Sequence, residues 1–370
     1  MNVSASVRDA KPYDLVVLGL SLSSSWGNGH ATTYRSLLRG LHRLGRRVLF
    51  LERDAPWYRS HRDLPQADFC DLVFYGRIEE LIEHFAGSIA DARAVMIGSY
   101  VPDGIAVIDA VRKLARGPVM FYDIDTPITL ARLRQGEEDY LAARQIPLLD
   151  TYFSFSGGPT LHRLEDEFGA RRALSLYCSV QDDRYRPTDE PFAWDLGYLG
   201  TYSPDRQPML ERLLLEPARR LPSLRFVVAG PCYPETVAWP DNVERIEHLP
   251  PDRHASFYSR QRYTLNITRA DMAAAGWSPS VRLFEAAACG TPVISDWWPG
   301  LGELFPLDET ILPAGSAEDV VRILTGIGAQ LRFSIAAKAR ARVLRSHTGL
   351  ARARELVASV PNLRQEPAPT

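Results

Sequence analysis

The sequence predicts an α/β protein of two domains, each a parallel sheet flanked by helices. Three observations predict it. Short β-branched apolar runs alternate with amphipathic stretches from end to end, which is the pattern of consecutive βαβ units. At 370 residues the chain is too long for one ordinary domain and long enough for two that each bury a core without crosslinks. A polar, proline-containing stretch with no sustained period, SVQDDRYRPTDEPFAW at 179–194, separates two series of strand-like runs, as an interdomain hinge does.

The first series offers strands at 14–20, 47–51, 72–75, 94–99, 119–123, 152–155 and 174–178, and the second at 196–202, 225–229, 243–247, 263–267 and 291–295. Residues 317–360 read as helices, and the closing NLRQEPAPT, too polar to bury anything, reads as disorder. These runs set one domain over 1–185, a second over 186–360 and a disordered tail over 361–370.

The 43 basic residues nearly balance the 45 acidic ones, a net charge of -2, so no global field draws in nucleic acid or an anionic membrane. Cys70, Cys178, Cys232 and Cys289 form no C-x-x-C pair and sit in or beside apolar runs, which suits free thiols in a reducing compartment. No apolar run is long enough for a transmembrane segment and none has the form of a signal peptide, so a cytoplasmic location is expected.

The densest chemistry lies in W-S-P-S-V-R-L-F-E-A-A-A-C-G-T-P-V-I-S-D, residues 277–296. Ser278 suits a helix N-cap, Pro279 the first helical position and Gly290 the end, with a strand restarting at Thr291. The backbone N–H groups of Ser280, Val281 and Arg282 would then open a positive helix end, a ready anion site. Arg282 adds a bidentate phosphate donor. Glu285, three residues on, shares its face, where a carboxylate one turn deeper can accept from paired hydroxyls such as those of a ribose. The competing reading of the same spacing is an ordinary Arg282–Glu285 ion pair within the helix.

The run R-L-F-E-A-A-A-C-G-T-P-V-I-S resembles the donor-site signature of GT-B glycosyltransferases of the group 1 type, most closely that of the spore-maturation CgeB-like proteins. The resemblance implies two Rossmann-like domains facing across a cleft, with the C-terminal helices packing back. It implies a nucleotide-diphosphate-sugar as substrate with no separate cofactor, metal-independent transfer, and an acceptor hydroxyl on a small molecule, glycan or other carrier. It further implies that Glu285 binds the nucleoside ribose while Arg282, with the helix start, binds the diphosphate. Retaining relatives carry Glu-x7-Glu, and the earlier position here is Trp277. L-G-T-Y-S-P-D-R at 199–206 is similar to the strand and loop that deliver a phosphate-binding cation, which makes Arg206 that residue. F-V-V-A-G-P at 226–231 and V-E-R-I-E-H-L-P at 243–250 resemble the following strands, the latter running along the base. C-S-V-Q-D-D-R-Y-R-P at 178–187 resembles the G-V-D-x-x-x-F-x-P crossover.

In the first half, the strand over 14–20 runs into S-L-S-S-S-W-G-N-G-H-A-T and a helix. Gly27, Gly29 and Glu52 invite a dinucleotide reading, but Thr32 stands where the fingerprint needs glycine, and Gly27 comes too long after the strand. On the GT-B resemblance this loop faces the cleft, so Gly27, Gly29 and His30 line the reaction centre. Asp123-Ile124-Asp125 ends a strand; alternation puts both carboxylates on one face, where a divalent ion or an acceptor hydroxyl would meet them. Acceptor contact is the reading adopted, with His30, Asp125 and Asp123 as catalytic candidates. The sequence thus points to sugar transfer from a nucleotide-diphosphate-sugar to a hydroxyl. Its rivals are an NAD-dependent oxidoreductase using the glycine-rich loop and a non-catalytic nucleotide-sugar-binding protein.

Overall fold

The computed structural model describes residues 11–26 and 29–364. Thirteen strands run β1 (Leu15–Gly19), β2 (Val48–Arg53), β3 (Asp71–Tyr75), β4 (Ala94–Gly98), β5 (Val119–Asp123), β6 (Thr151–Ser154), β7 (Ala173–Ser175), β8 (Trp194–Leu199), β9 (Phe226–Ala229), β10 (Val243–Ile246), β11 (Gln261–Asn266), β12 (Val293–Ser295) and β13 (Leu312–Pro313). They form a seven-stranded sheet of order β3-β2-β1-β4-β5-β6-β7 and a six-stranded sheet of order β10-β9-β8-β11-β12-β13. Every pairing within the two sheets is parallel. In both sheets the order reverses beside the first strand of the series. Open parallel sheets bind their ligands at the carboxyl ends of strands at such a reversal. Only β13, two residues long, carries no periodicity that a sequence could show.

Parallel sheets are covered on both faces, and strand alternation divides the cores accordingly. Val16 and Leu18 enter one cluster with Val95, Ile97, Val119 and Phe121. Leu15 and Val17 enter another with Tyr34, Phe50, Met96 and Met120. In the second sheet Leu196, Tyr198, Phe226, Val228, Tyr263 and Leu265 build the corresponding cluster. Each such side chain removed from water contributes about 1.5–3 kcal/mol, which sets the register.

The chain divides into two compact units after Tyr177, eight residues before the expected boundary at 185, and it returns to the first unit at Gly349. Residues 349–360 therefore belong with the first sheet rather than the second. The reason is local: helix Gly349–Ser359 crosses helix Gly29–Arg43 where Gly40 meets Gly349, and a Cβ on either would strike backbone of the other helix. Pro361–Arg364, expected to be disordered, is a helical turn with Leu363 buried in the same core.

Candidate active site

In the first unit, Gly27 lies outside the described residues, while Gly29 opens helix Gly29–Arg43 at an exposed position. His30, in the first turn of that helix, is buried, and its Nε2 lies 3.7 Å from Asp125 Oδ2. Its ring meets Tyr100 edge-on at 5.4 Å. Tyr100 sits just past β4 in the left-handed region at φ 61°, a conformation costing a non-glycine residue about 1–3 kcal/mol and concentrated at functional sites. Burial, reinforced by the Asp125 carboxylate, pushes its phenol up to about 12, so Tyr100 is a neutral donor at any working pH.

The two aspartates do not share a face. β5 ends at Asp123, and at Asp125 the chain turns (φ -129°, ψ 40°) to precede helix Thr126–Arg134, which the Asp125 side chain does not cap. Asp125 stays part-exposed beside His30. Asp123 is fully buried: Oδ2 accepts from Tyr152 Oη at 2.6 Å, and Oδ1 accepts from Thr129 Oγ1 at 3.0 Å and from the Asp125 N–H at 3.1 Å. Direct acceptor contact by Asp123, expected from strand alternation, is thereby corrected. Its carboxylate ties β5 to β6 and to the helix that follows.

Burial raises the Asp123 carboxyl to about 6, against hydrogen bonds that lower it. A carboxyl raised in the folded state stabilises the protein below its unfolded pKa, and that contribution is lost as pH rises through the folded value. Between about pH 4 and 6 wild-type stability should therefore fall relative to Asp123→Asn, by roughly 1–3 kcal/mol at about 1.4 kcal/mol per pKa unit. Paired denaturant melts across that window check it, and a pH-independent difference would contradict it.

Glu52, the acid a dinucleotide reading requires, is fully buried. Oε2 accepts from the N–H groups of Leu22 and Ser23, and Oε1 from the Ser21 and Ser23 hydroxyls. It closes the loop on itself and has no capacity left for a ribose, which removes the oxidoreductase rival.

In the second unit the Val281–Ala288 helix begins two residues later than its sequence suggests. Ser280, not Ser278, holds the N-cap position with extended backbone (φ -73°, ψ 150°), and its hydroxyl donates to Asn266 Oδ1 at 2.7 Å instead of capping the helix. Ser278 donates to Gly276 O. The tertiary bond to Asn266, at the end of β11, holds Ser280 outside the helix. The N–H groups at this helix start are those of Val281 and Arg282 in the first turn and of Ser280 at the N-cap position. Gly290 ends the helix at φ 76°.

Arg282 makes no ion pair with Glu285 among the described residues. Its Nε donates to Leu199 O at 2.6 Å, its Nη1 to Asn266 Oδ1 at 3.0 Å, and its guanidinium lies 4.9 Å from the Tyr198 ring centroid. Glu285 is buried one turn deeper and accepts from Tyr258 Oη at 3.2 Å. Arg206, in the loop after β8, donates from Nη2 to Thr201 O at 2.8 Å, and its Nε is buried with no hydrogen-bond partner among the described residues.

Two residues that sequence reasoning passed over complete this corner. Arg245 on β10 is held between the rings of Tyr233 (4.3 Å) and Trp239 (4.4 Å) and donates to Val228 O and Gly230 O. Tyr233 Oη donates to Gly200 O at 3.1 Å. Burial pushes the Tyr233 phenol well up, while the charges of Arg245, Arg206 and Arg282 all pull it down. Arg282, Tyr233 and Arg206 thus donate to three successive carbonyls, those of Leu199, Gly200 and Thr201, where the chain leaves β8, with Arg245 stacked on the Tyr233 ring. The alternation of Val243 and Arg245 in V-E-R-I was visible, but nothing in it said where Arg245 would point. Gly230, at φ 143°, lets the turn after β9 pass against the Gly200 carbonyl, where any Cβ would collide.

A glycosyl transferase-like family model matches residues 206–358. Three solved structures show the same fold over nearly their whole length. Sucrose-phosphate synthase from Thermosynechococcus elongatus has a TM-score of 0.66 at 14% identity, covering 94% of this chain and 98% of that one. HepE from Anabaena, in complex with UDP and glucose, has a TM-score of 0.67 at 12% identity, covering 94% and 99%. A glycosyltransferase from Rickettsia africae has a TM-score of 0.67 at 11% identity, covering 97% and 100%. No curated protein matches by sequence. The fold is therefore that of these GT-B structures, and the part of the chain that matches the glycosyl transferase-like model includes Arg206, Arg282 and Glu285.

Proposed function

We propose that the second unit holds a nucleotide-diphosphate-sugar and that the first unit presents the acceptor hydroxyl to it. The observation that carries this reading is that Arg282, Tyr233 and Arg206 donate to the successive carbonyls of Leu199, Gly200 and Thr201, with the first-turn N–H groups of Val281 and Arg282 on the Val281–Ala288 helix and Glu285 one turn inside it. Arg282 is anchored by two of its nitrogens, and Nη2 makes no hydrogen bond among the described residues, which suits it to receive an anion. Fixed cations and helix N–H groups stabilise the charge that grows on a leaving diphosphate without reorganising. Such groups do the work a divalent ion would otherwise do, so metal-independent transfer is part of the proposal. UDP, bound by HepE, is the first nucleotide to try.

His30 and Asp125 are the acceptor-side pair: an imidazole backed by a carboxylate is suited to orienting a hydroxyl and taking its proton. The R-L-F-E-A-A-A-C-G run supports placing the chain with the CgeB-like group. No disulfide forms among the described residues and no single described helix is long and apolar enough to cross a membrane, both of which fit a cytoplasmic enzyme.

Glu285→Gln tests the ribose assignment. It should weaken donor binding by about 1–3 kcal/mol, the usual worth of a charged hydrogen bond, with the fold intact. Calorimetry with UDP and UDP-sugars reads it, and unchanged affinity would move the ribose elsewhere.

A further inference from the structure

Asn266 is the last residue of β11, fully buried, and joins two charges of opposite sign. Its Oδ1 accepts from Arg282 Nη1 at 3.0 Å and from Ser280 Oγ at 2.7 Å. Its Nδ2 donates to Ser295 Oγ at 3.0 Å, to Thr268 Oγ1 at 3.2 Å and toward Asp296 Oδ1 at 3.4 Å. The orientation of the amide follows from chemistry. A guanidinium can only donate, so the oxygen faces Arg282; an ionised carboxylate can only accept, so the nitrogen faces Asp296. Asp296 is buried as well and is satisfied without Arg282, accepting from Thr268 N at 3.0 Å and Thr268 Oγ1 at 2.9 Å.

We propose that Asn266 is a positioning residue that holds Arg282 through a neutral acceptor and keeps it from pairing with Asp296. The inference rests on the donor-site reading of Arg282. An arginine meant to receive a diphosphate needs a fixed guanidinium whose charge is not already cancelled. A carboxylate would fix it and cancel it; an apolar neighbour would do neither. The amide fixes it and leaves the charge in place, and it does so at the position that also ties Ser280 to the start of the Val281–Ala288 helix. One side chain thus sets both the cation and the helix end. A buried carboxylate in direct contact with a guanidinium favours the ion pair over an incoming anion, so an isosteric acid at 266 is the most damaging substitution and not the mildest.

The test compares wild type, Asn266→Asp, Asn266→Ala and Asp296→Asn. Calorimetry measures UDP, GDP, ADP and dTDP and the nucleoside of whichever diphosphate wild type binds best, with melting temperatures recorded alongside. Asn266→Asp should weaken that diphosphate about tenfold or more, and by more than Asn266→Ala does, while nucleoside affinity holds within about twofold in both. Asp296→Asn should leave diphosphate affinity within about twofold, because the amide already separates that charge from Arg282. Equal losses in the aspartate and alanine variants, or a nucleoside loss as large as the diphosphate loss, would reduce Asn266 to a scaffold residue. A marked gain in diphosphate affinity in Asp296→Asn would show that no separation operates. If wild type binds none of the four diphosphates, the donor-site reading itself falls, and this inference with it.

Discussion

Arg282→Ala should lower kcat/KM by about 10²- to 10³-fold, the range seen when one preorganised donor to a developing negative charge is removed. Nucleoside affinity should stay near wild type. The split arises because a leaving diphosphate carries more charge in the transition state than in the bound donor, so a cation fixed against Leu199 O and Asn266 Oδ1 stabilises the former more. Arg206→Ala should act in the same direction, since Arg206 is held on the Thr201 carbonyl, two residues beyond the Leu199 carbonyl that holds Arg282. Steady-state kinetics with the donor that wild type turns over, beside calorimetry with its nucleoside, separates the two effects. Normal turnover in both variants would place the diphosphate elsewhere.

His30→Ala and Asp125→Asn should each cut transfer about 100-fold or more if the pair activates the acceptor hydroxyl, while donor binding stays unchanged. The two side chains come from separate elements, the first turn of helix Gly29–Arg43 and the segment after β5, yet lie 3.7 Å apart. Asp125 leaves its helix uncapped, so a purely local capping role does not account for it. The strained Tyr100 packs against His30, and Tyr100→Phe, which keeps that packing, separates a role for its hydroxyl from support of the ring. Near-normal transfer with only a lowered melting temperature would make the cluster structural.

Much of the fold was legible because its signals are local. A buried parallel strand is a short apolar run bounded by turns, and all twelve longer strands appear within a few residues of where such runs lie. The Val281–Ala288 helix was legible for the same reason, from Arg282 through Gly290. Errors fell where a distant residue overrode a local rule. Ser278 and Pro279 form a good helix start in isolation, but the bond from Ser280 to Asn266 delays the helix by two residues. Asp123 and Asp125 alternate correctly for a strand, but the strand stops between them. Residues 361–364 look too polar for order, yet Leu363 finds the first core, while 365–370 lie outside the described residues.

The sequence by itself determined the class of fold, the two series of strands, the helix that carries Arg282 and Glu285, and the candidates on the acceptor side. Periodicity, capping residues and charge act over a few positions, and a chain displays them without folding. Only the tertiary structure decided which polar groups are consumed by the protein and which remain for a substrate. It tied Glu52 to its own loop and Asp123 to Tyr152 and Thr129, brought His30 to Asp125, held Arg282, Tyr233 and Arg206 on three successive carbonyls after β8, and set a neutral amide between Arg282 and Asp296. Those outcomes depend on hydrogen-bond partners supplied from tens of residues away, because a buried polar group must be satisfied by whatever the fold brings within about 3 Å of it.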